Sequence, residues 1–164
     1  MANYDFNKDI HIGEAGEQVV KTDLESLGGF FISDNKDNKY DLIMDMPDKG
    51  GFGLRQVTYE IKTDVFCRPD LDTGNIFIEF ESRGKLSGIS VCNAEWFVTY
   101  FKHFNEIWYI KTSKLKKLIS DNDFKITEYS GDSNSNTKGY LIPRYQFKKH
   151  FKVRLVKKKL TKKY

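Results

Sequence analysis

Glu60 and Lys62 stand two residues apart in the run Tyr59-Glu60-Ile61-Lys62-Thr63. The run is rich in β-branched and aromatic residues, so it reads as a strand, and residues two apart on a strand share a face. A carboxylate and an ammonium on one face of a buried strand must pair or bind something, because unpaired charge there is costly. A second carboxylate, Asp41, lies at the start of the strand pattern Tyr40-Asp41-Leu42-Ile43-Met44. Two carboxylates beside a lysine are a donor set for a divalent cation held near a phosphate.

Several elements must position these side chains. Residues 13–27 have helical periodicity, with Val20, Leu24 and Leu27 on one stripe and Gly28-Gly29 as the stop. A step of about 100° per residue sets Glu17 roughly 60° from the stripe and Glu14 roughly 120° from it. Glu17 therefore borders the buried face and Glu14 lies nearer to solvent; either is a candidate third carboxylate. Phe30-Phe31-Ile32 reads as a short strand and Ser33 to Lys39 as a polar turn. The loop Pro47-Asp48-Lys49-Gly50-Gly51 then joins the Asp41 and Glu60 strands, which places them side by side and antiparallel.

An E-x-K triplet alone recurs by accident in roughly one chain of this length in two. Its setting is what carries weight. Asp37-Asn38-Lys39 lies in a turn, and Asp123-Phe124-Lys125 has no earlier strand with an acid to complete it. Asp64 follows on the face of Glu60 and Lys62 and is read as structural.

Further along, Arg68 to Gly74 is a turn, and Asn75 to Ser82 alternates Ile76, Ile78 and Phe80 against Phe77, Glu79 and Glu81. Surface charge or salt bridging is the expected role of those two acids. The loop Arg83-Gly84-Lys85-Leu86-Ser87-Gly88 is open to two readings. It is an ordinary hairpin turn, or a phosphate contact in which glycines permit close approach and Arg83, Lys85 and Ser87 supply donors. Residues 96–101 and 106–110 read as strands, although Asn93-Ala94-Glu95 resembles a helix cap before the first. Ser113 caps a helix to about Ile119. Phe124 to Tyr129 and Tyr140 to Pro143 read as short strands around a polar loop, Ser130 to Thr137.

At 164 residues the chain is expected to form one domain. Its net charge of +4 is unevenly spread: residues 143–164 hold ten Lys or Arg and no acid, leaving 17 bases against 23 acids in residues 1–142. The expected division is a core over residues 1–142 and a basic segment over 143–164, helical from Arg144, as part of the same domain or as a tail. Such a segment either meets a polyanion or solubilises a frayed terminus. The two cysteines, Cys67 and Cys92, have no metal-ligand spacing and no disulfide framework, which points to a reducing, intracellular compartment. His11, His103 and His150 are scattered, and nucleophile-elbow, Walker A and iron–sulfur patterns are absent. No apolar run approaches the roughly 18 residues of a membrane span, and the N-terminus does not read as a signal peptide.

With Gly16-Glu17 in the first helix, Asp41 in Tyr-Asp-Leu-Ile-Met, and Glu60-Ile61-Lys62, the chain resembles the PD-(D/E)XK nucleases. This is the restriction-endonuclease-like superfamily that includes Holliday-junction resolvases and many phage nucleases. The stretch from Asn75 to Ile89 and the Trp96 strand add to the likeness, which covers roughly residues 13–119. Tyr40 stands where the family's named proline would be. The resemblance implies an α/β fold, a central mixed sheet flanked by helices. It also implies Mg²⁺ as cofactor, with Mn²⁺ as a substitute, held by Asp41, Glu60 and the carbonyl of Ile61. Lys62 would orient the attacking water and stabilise developing charge, and Glu17 would complete a second metal site or position the nucleophile. DNA would be contacted by Arg83, Lys85 and Ser87 and by Lys148, Lys149, Lys152 and Arg154. The implied activity is an endodeoxyribonuclease of recombination or resolvase type, acting on branched DNA as a homodimer in a bacterial or phage-infected cytoplasm. The alternatives are a sequence-specific homing or restriction endonuclease and a non-catalytic nucleic-acid-binding protein.

Overall fold

The structure is a computed structural model, which describes residues 6–34, 40–128 and 136–156. The Asp37-Asn38-Lys39 triplet, most of the Ser130 to Thr137 loop and the last lysines of the chain lie outside the described residues.

The first helix, α1 (Phe6–Ser26), begins a full two turns before the expected start. Ile10, on the added turns, is 42% exposed. Val20 and Leu24 are buried as expected, whereas Leu27 lies beyond the helix and is half-exposed. Gly28, at a φ of 86°, ends α1 by the left-handed route that glycine adopts without strain.

Six strands form the larger sheet, in the spatial order β1 (Phe30–Asp34), β2 (Leu42–Pro47), β3 (Leu54–Asp64), β6 (Trp96–Phe101), β7 (Glu106–Lys111), β10 (Lys152–Leu155). The sheet is mixed: β3 and β6 are parallel, and every other neighbouring pair is antiparallel. A second sheet of four strands is ordered β5 (Lys85–Leu86), β4 (Asn75–Ser82), β9 (Lys138–Pro143), β8 (Lys125–Thr127). The fold is thus mixed α/β, as the sequence implies. Helices flank the large sheet, and on one face a second sheet packs beside the helix.

One face is covered by α1, whose Val20 and Leu24 pack on Leu42, Met44, Val57, Tyr59, Ile61, Val98 and Tyr109. The other face presents Phe97, Phe101, Trp108 and Ile110 to Ile76, Ile78 and Ile142 of the small sheet, and to Leu115 and Leu118 of α2 (Thr112–Asp121). Strands β6 and β7 are buried on both sides, which explains their nearly unbroken apolar runs. Helix α2 starts at Thr112 from Lys111, so Ser113 sits inside its first turn and does not cap it. Cys67 and Cys92 are buried free thiols. No helix among the described residues is long and apolar enough to cross a membrane.

Among its described residues, 143–156, the basic C-terminal segment is α-helical over Arg144–Phe147 (α3), and the chain then adds β10 to the edge of the large sheet beside β7. Arg144 is fully buried, with its guanidinium 4.6 Å from the Phe101 ring centre and 4.8 Å from that of Tyr145. Its Nη2 donates to Asp72 Oδ2 at 2.6 Å, tying α3 to the loop before β4. Breaking a buried ion pair from one side strands a charge. Asp72→Ala is therefore expected to destabilise the protein by about 3 kcal/mol in urea unfolding, and Arg144→Met by clearly less.

Candidate active site

Strand β2 stops short of its neighbour. Its ladder with β3 runs from Pro47 opposite Leu54 to Leu42 opposite Tyr59, so Glu60 to Asp64 extend past the last paired residue. On the other side β3 remains paired through this stretch, Lys62 lying opposite Thr99 of β6. The result is a notch in the sheet on the β2 side of Ile61 and Lys62.

Asp41 stands at the corner of that notch. Its backbone N–H donates to Tyr59 O at 2.8 Å, and its Oδ2 accepts the Ile61 N–H at 2.6 Å. A side chain thus satisfies a backbone donor that the ended ladder leaves over. The register sets Asp41 opposite Glu60, on one face of the sheet. The Ile61 carbonyl leaves β3 on the same side as its N–H, toward Asp41. Glu60 is largely buried, and its Oε1 lies 2.6 Å from Lys62 Nζ, whose side chain is half-exposed.

Glu17 reaches the notch from the helix side. Gly16 makes this possible, since a Cβ there would overlap the hydroxyl of Thr63, the residue after Lys62. Burial and then the charge of Asp41 push the Glu17 carboxyl up to about 7, against the opposing pull of Lys62. Glu14 instead is exposed, 3.4 Å from His11 Nδ1 on the outer helix surface. Of the two helix carboxylates, Glu17 is the one at the notch.

The remaining shifts describe a crowded anionic cluster. Burial raises the Glu60 carboxyl; Lys62 opposes this, and Asp41 and Glu79 add to it. For Lys62, burial works against the ammonium, but Glu60, Asp41 and Glu79 outweigh it and hold the pKa above its ordinary value. Lys62 is therefore a cation at neutral pH. Among the described residues, no three His, Cys, Asp or Glu side chains are gathered into a finished metal cage. Mg²⁺ needs none, since it retains several waters and takes one or two carboxylates. Asp41, Glu60 and the Ile61 carbonyl suit that demand. Burial first and then the charge of Asp41 raise Glu17 and Glu60, and a cation beside them would favour their charged forms.

Glu79 was expected at the surface and instead belongs to this cluster. It lies on β4, accepts the Ser87 hydroxyl at 2.6 Å, and bears on both Glu60 and Lys62. The alternation of β4 marks which face it occupies, but nothing in the sequence says that β4 crosses over β3. A register shift in the β4–β9 ladder between Glu79 and Glu81 separates the two acids. Glu81 pairs with Lys138 at 2.9 Å, the salt bridge expected of it. Asp64 is structural, its Oδ1 accepting the N–H groups of Phe66 and Cys67 at 2.9 and 2.8 Å.

The residues expected to touch DNA are dispersed. Arg83 and Gly84, with φ of 52° and 71°, form the two-residue turn between β4 and β5, leaving Arg83 and Lys85 exposed. Ser87 spends its hydroxyl on Glu79. Lys148 and Lys149 are exposed in the turn before β10. The row through Lys62 continues to Thr99, Trp108 and Val153, so β10 lies three strands away, roughly 14 Å. Lys152 and Arg154 flank Val153 and point to the opposite face, where Arg154 Nε donates to Asp23 of α1 at 2.7 Å. Neither reaches the notch. Compared with protein-family models, with curated proteins and with solved structures, the chain finds no match.

A carboxyl whose folded pKa lies above its ordinary 4.5 keeps its proton when the protein folds, so the folded state binds more protons between about 4.5 and about 7. Stability contributed at this position falls as pH rises through that window, and the full penalty stands above pH 7. Glu17→Gln removes it. The variant is expected to be about 1 kcal/mol more stable than wild type at pH 8, after discounting for solvent screening, and nearly equal at pH 5. Denaturant melts at the two pH values check this.

Proposed function

We propose that the chain is a Mg²⁺-dependent endonuclease that hydrolyses DNA phosphodiester bonds, acting on branched or otherwise structured DNA as a homodimer. The observation that carries this reading is the notch, where Asp41 is fixed on β3, Glu60 pairs with Lys62, and Glu17 lies within reach of the charges of Asp41 and Lys62.

Asp41, Glu60 and the Ile61 carbonyl would hold the metal, with Glu17 as an additional ligand or as the group that positions water. A bound Mg²⁺ supplies charge neutralisation at the phosphate and a lowered pKa for its water. Lys62, raised above its ordinary pKa, is a donor and a positive charge in this scheme and not a base. Its ammonium, 2.6 Å from Glu60, would turn to a phosphate oxygen of bound DNA. There it stabilises charge that grows as the phosphorus–oxygen bond breaks. Glu17, with a pKa near 7, can accept a proton from the attacking water through its carboxylate oxygen. Two-strand cleavage needs two such sites, which motivates the dimer.

Purified protein is expected to cut DNA in Mg²⁺ and to stop in chelator. Asp41→Ala and Lys62→Ala should each lower the cutting rate by at least about a hundredfold while retaining DNA binding. Undiminished cutting by both variants would refute the assignment, and failure to cut linear, branched or single-stranded DNA in any divalent metal would favour a binding module. A four-way junction compared with a linear duplex tests the substrate class.

A further inference from the structure

The chemistry above leaves a cleft beside Lys62 unused. The cleft measures about 690 Å³ and lies between the end of β3 and the small sheet, bounded by Lys62, Phe66, Thr73, Asn75, Phe77 and Glu79, among others. Its wall is mostly apolar, with hydroxyl and amide groups at intervals. Phe66 is 58% exposed, an unusual position for a phenyl ring on a polar loop. Phe77 is half-buried, and its ring lies across Gly139 of β9, where a Cβ would overlap it. The absent side chain lets the ring approach the β9 backbone closely.

Lys62 and Glu79 line the cleft and also belong to the charge cluster, so the two spaces are continuous. An aromatic cleft opening onto a site for phosphate chemistry suits a planar, mostly apolar group attached to the phosphate, with polar atoms at its edge. In a nucleic acid that group is the base, and aromatic side chains bind bases by stacking without regard to sequence. A base within a duplex is already stacked and paired, and must be extruded at a cost before it can enter. An unpaired base carries no such cost. The volume falls within the range of built ligand pockets and accommodates a base with part of its sugar.

We infer that the cleft receives an unpaired nucleobase next to the scissile phosphate, stacked against Phe66 and Phe77. The preferred substrate is then DNA with unpaired nucleotides at the cut, such as a single strand, a flap or the branch of a junction. This rests on the nuclease reading of the notch and narrows it. Asn75, whose Nδ2 donates to Thr73 O at 3.1 Å, lines the cleft where the edge of the base would lie, and Lys62 lines it where the phosphate would lie.

Fluorescence anisotropy with the full chain in Ca²⁺, using labelled oligonucleotides of about twelve nucleotides, tests the inference. The probes are a thymine single strand, an abasic strand with the same phosphates, and a blunt duplex. Wild type is expected to bind the thymine strand about tenfold more tightly than the abasic one. Phe66→Ala should erase that preference and leave abasic binding unchanged, and Phe66→Tyr should keep it. Equal binding of the two strands by wild type overturns the inference. So does tightest binding to the duplex, or a preference that survives in both Phe66→Ala and Phe77→Leu with folding checked by circular dichroism. Cutting in Mg²⁺ without the base preference sinks the cleft and spares the notch. The base preference without cutting in any divalent metal does the reverse.

Discussion

The site depends on the hydrogen bond from the Ile61 N–H to the Asp41 carboxylate. Where β2 ends, β3 would expose a row of unpaired backbone groups in the middle of a sheet. Asp41 takes one of these donors on its side chain, and this single contact both closes the ladder and fixes a carboxylate against β3. The other anionic groups follow from it. Glu60 lies opposite by register, the Ile61 carbonyl leaves on the same side, and Gly16 lets α1 come close enough to bring Glu17 in. Moving the end of β2 by one residue would turn the acid to the other face of the sheet.

The cluster carries its own electrostatic tension. Burial first, and then neighbouring carboxylates, raise Glu17 and Glu60, and Lys62 offsets this in part. A site optimised for stability alone would have fewer acids or more bases. Elsewhere the protein pairs its charges more evenly, as with Arg55 on Glu95 at 2.7 Å and Arg154 on Asp23. The imbalance is local to the notch, and local imbalance of this kind is where function is to be sought.

Much of this was legible in the chain. The alternation around Glu60, the loop Pro47 to Gly51 and the position of Asp41 were enough to place three side chains on one face of two adjacent antiparallel strands. The helix phase against Val20 set Glu17 nearer the buried face than Glu14 and left both as candidates. What was not legible depends on contacts between distant segments. Glu79 reads as a surface acid, because only the crossing of β4 over the large sheet brings it to Glu60. The segment from Arg144 reads as a basic stretch, within the domain or as a tail, because its lysines mask a fully buried arginine and an edge strand, and a charge-based reading has no means of seeing Asp72 waiting for Arg144. The second sheet that packs beside α2 is likewise a tertiary outcome. Strands β4 and β9 are individually visible, but their pairing is not.

The central claim is that Asp41 and Glu60 jointly hold a divalent cation at the notch. Anomalous diffraction from crystals soaked in Mn²⁺ tests it most directly. The account predicts a metal peak about 2.0–2.3 Å from oxygens of Asp41 and Glu60 and beside the Ile61 carbonyl, absent from Asp41→Ala crystals. A protein that cuts DNA in Mn²⁺ while its crystals hold the metal elsewhere, with the notch empty, would contradict it.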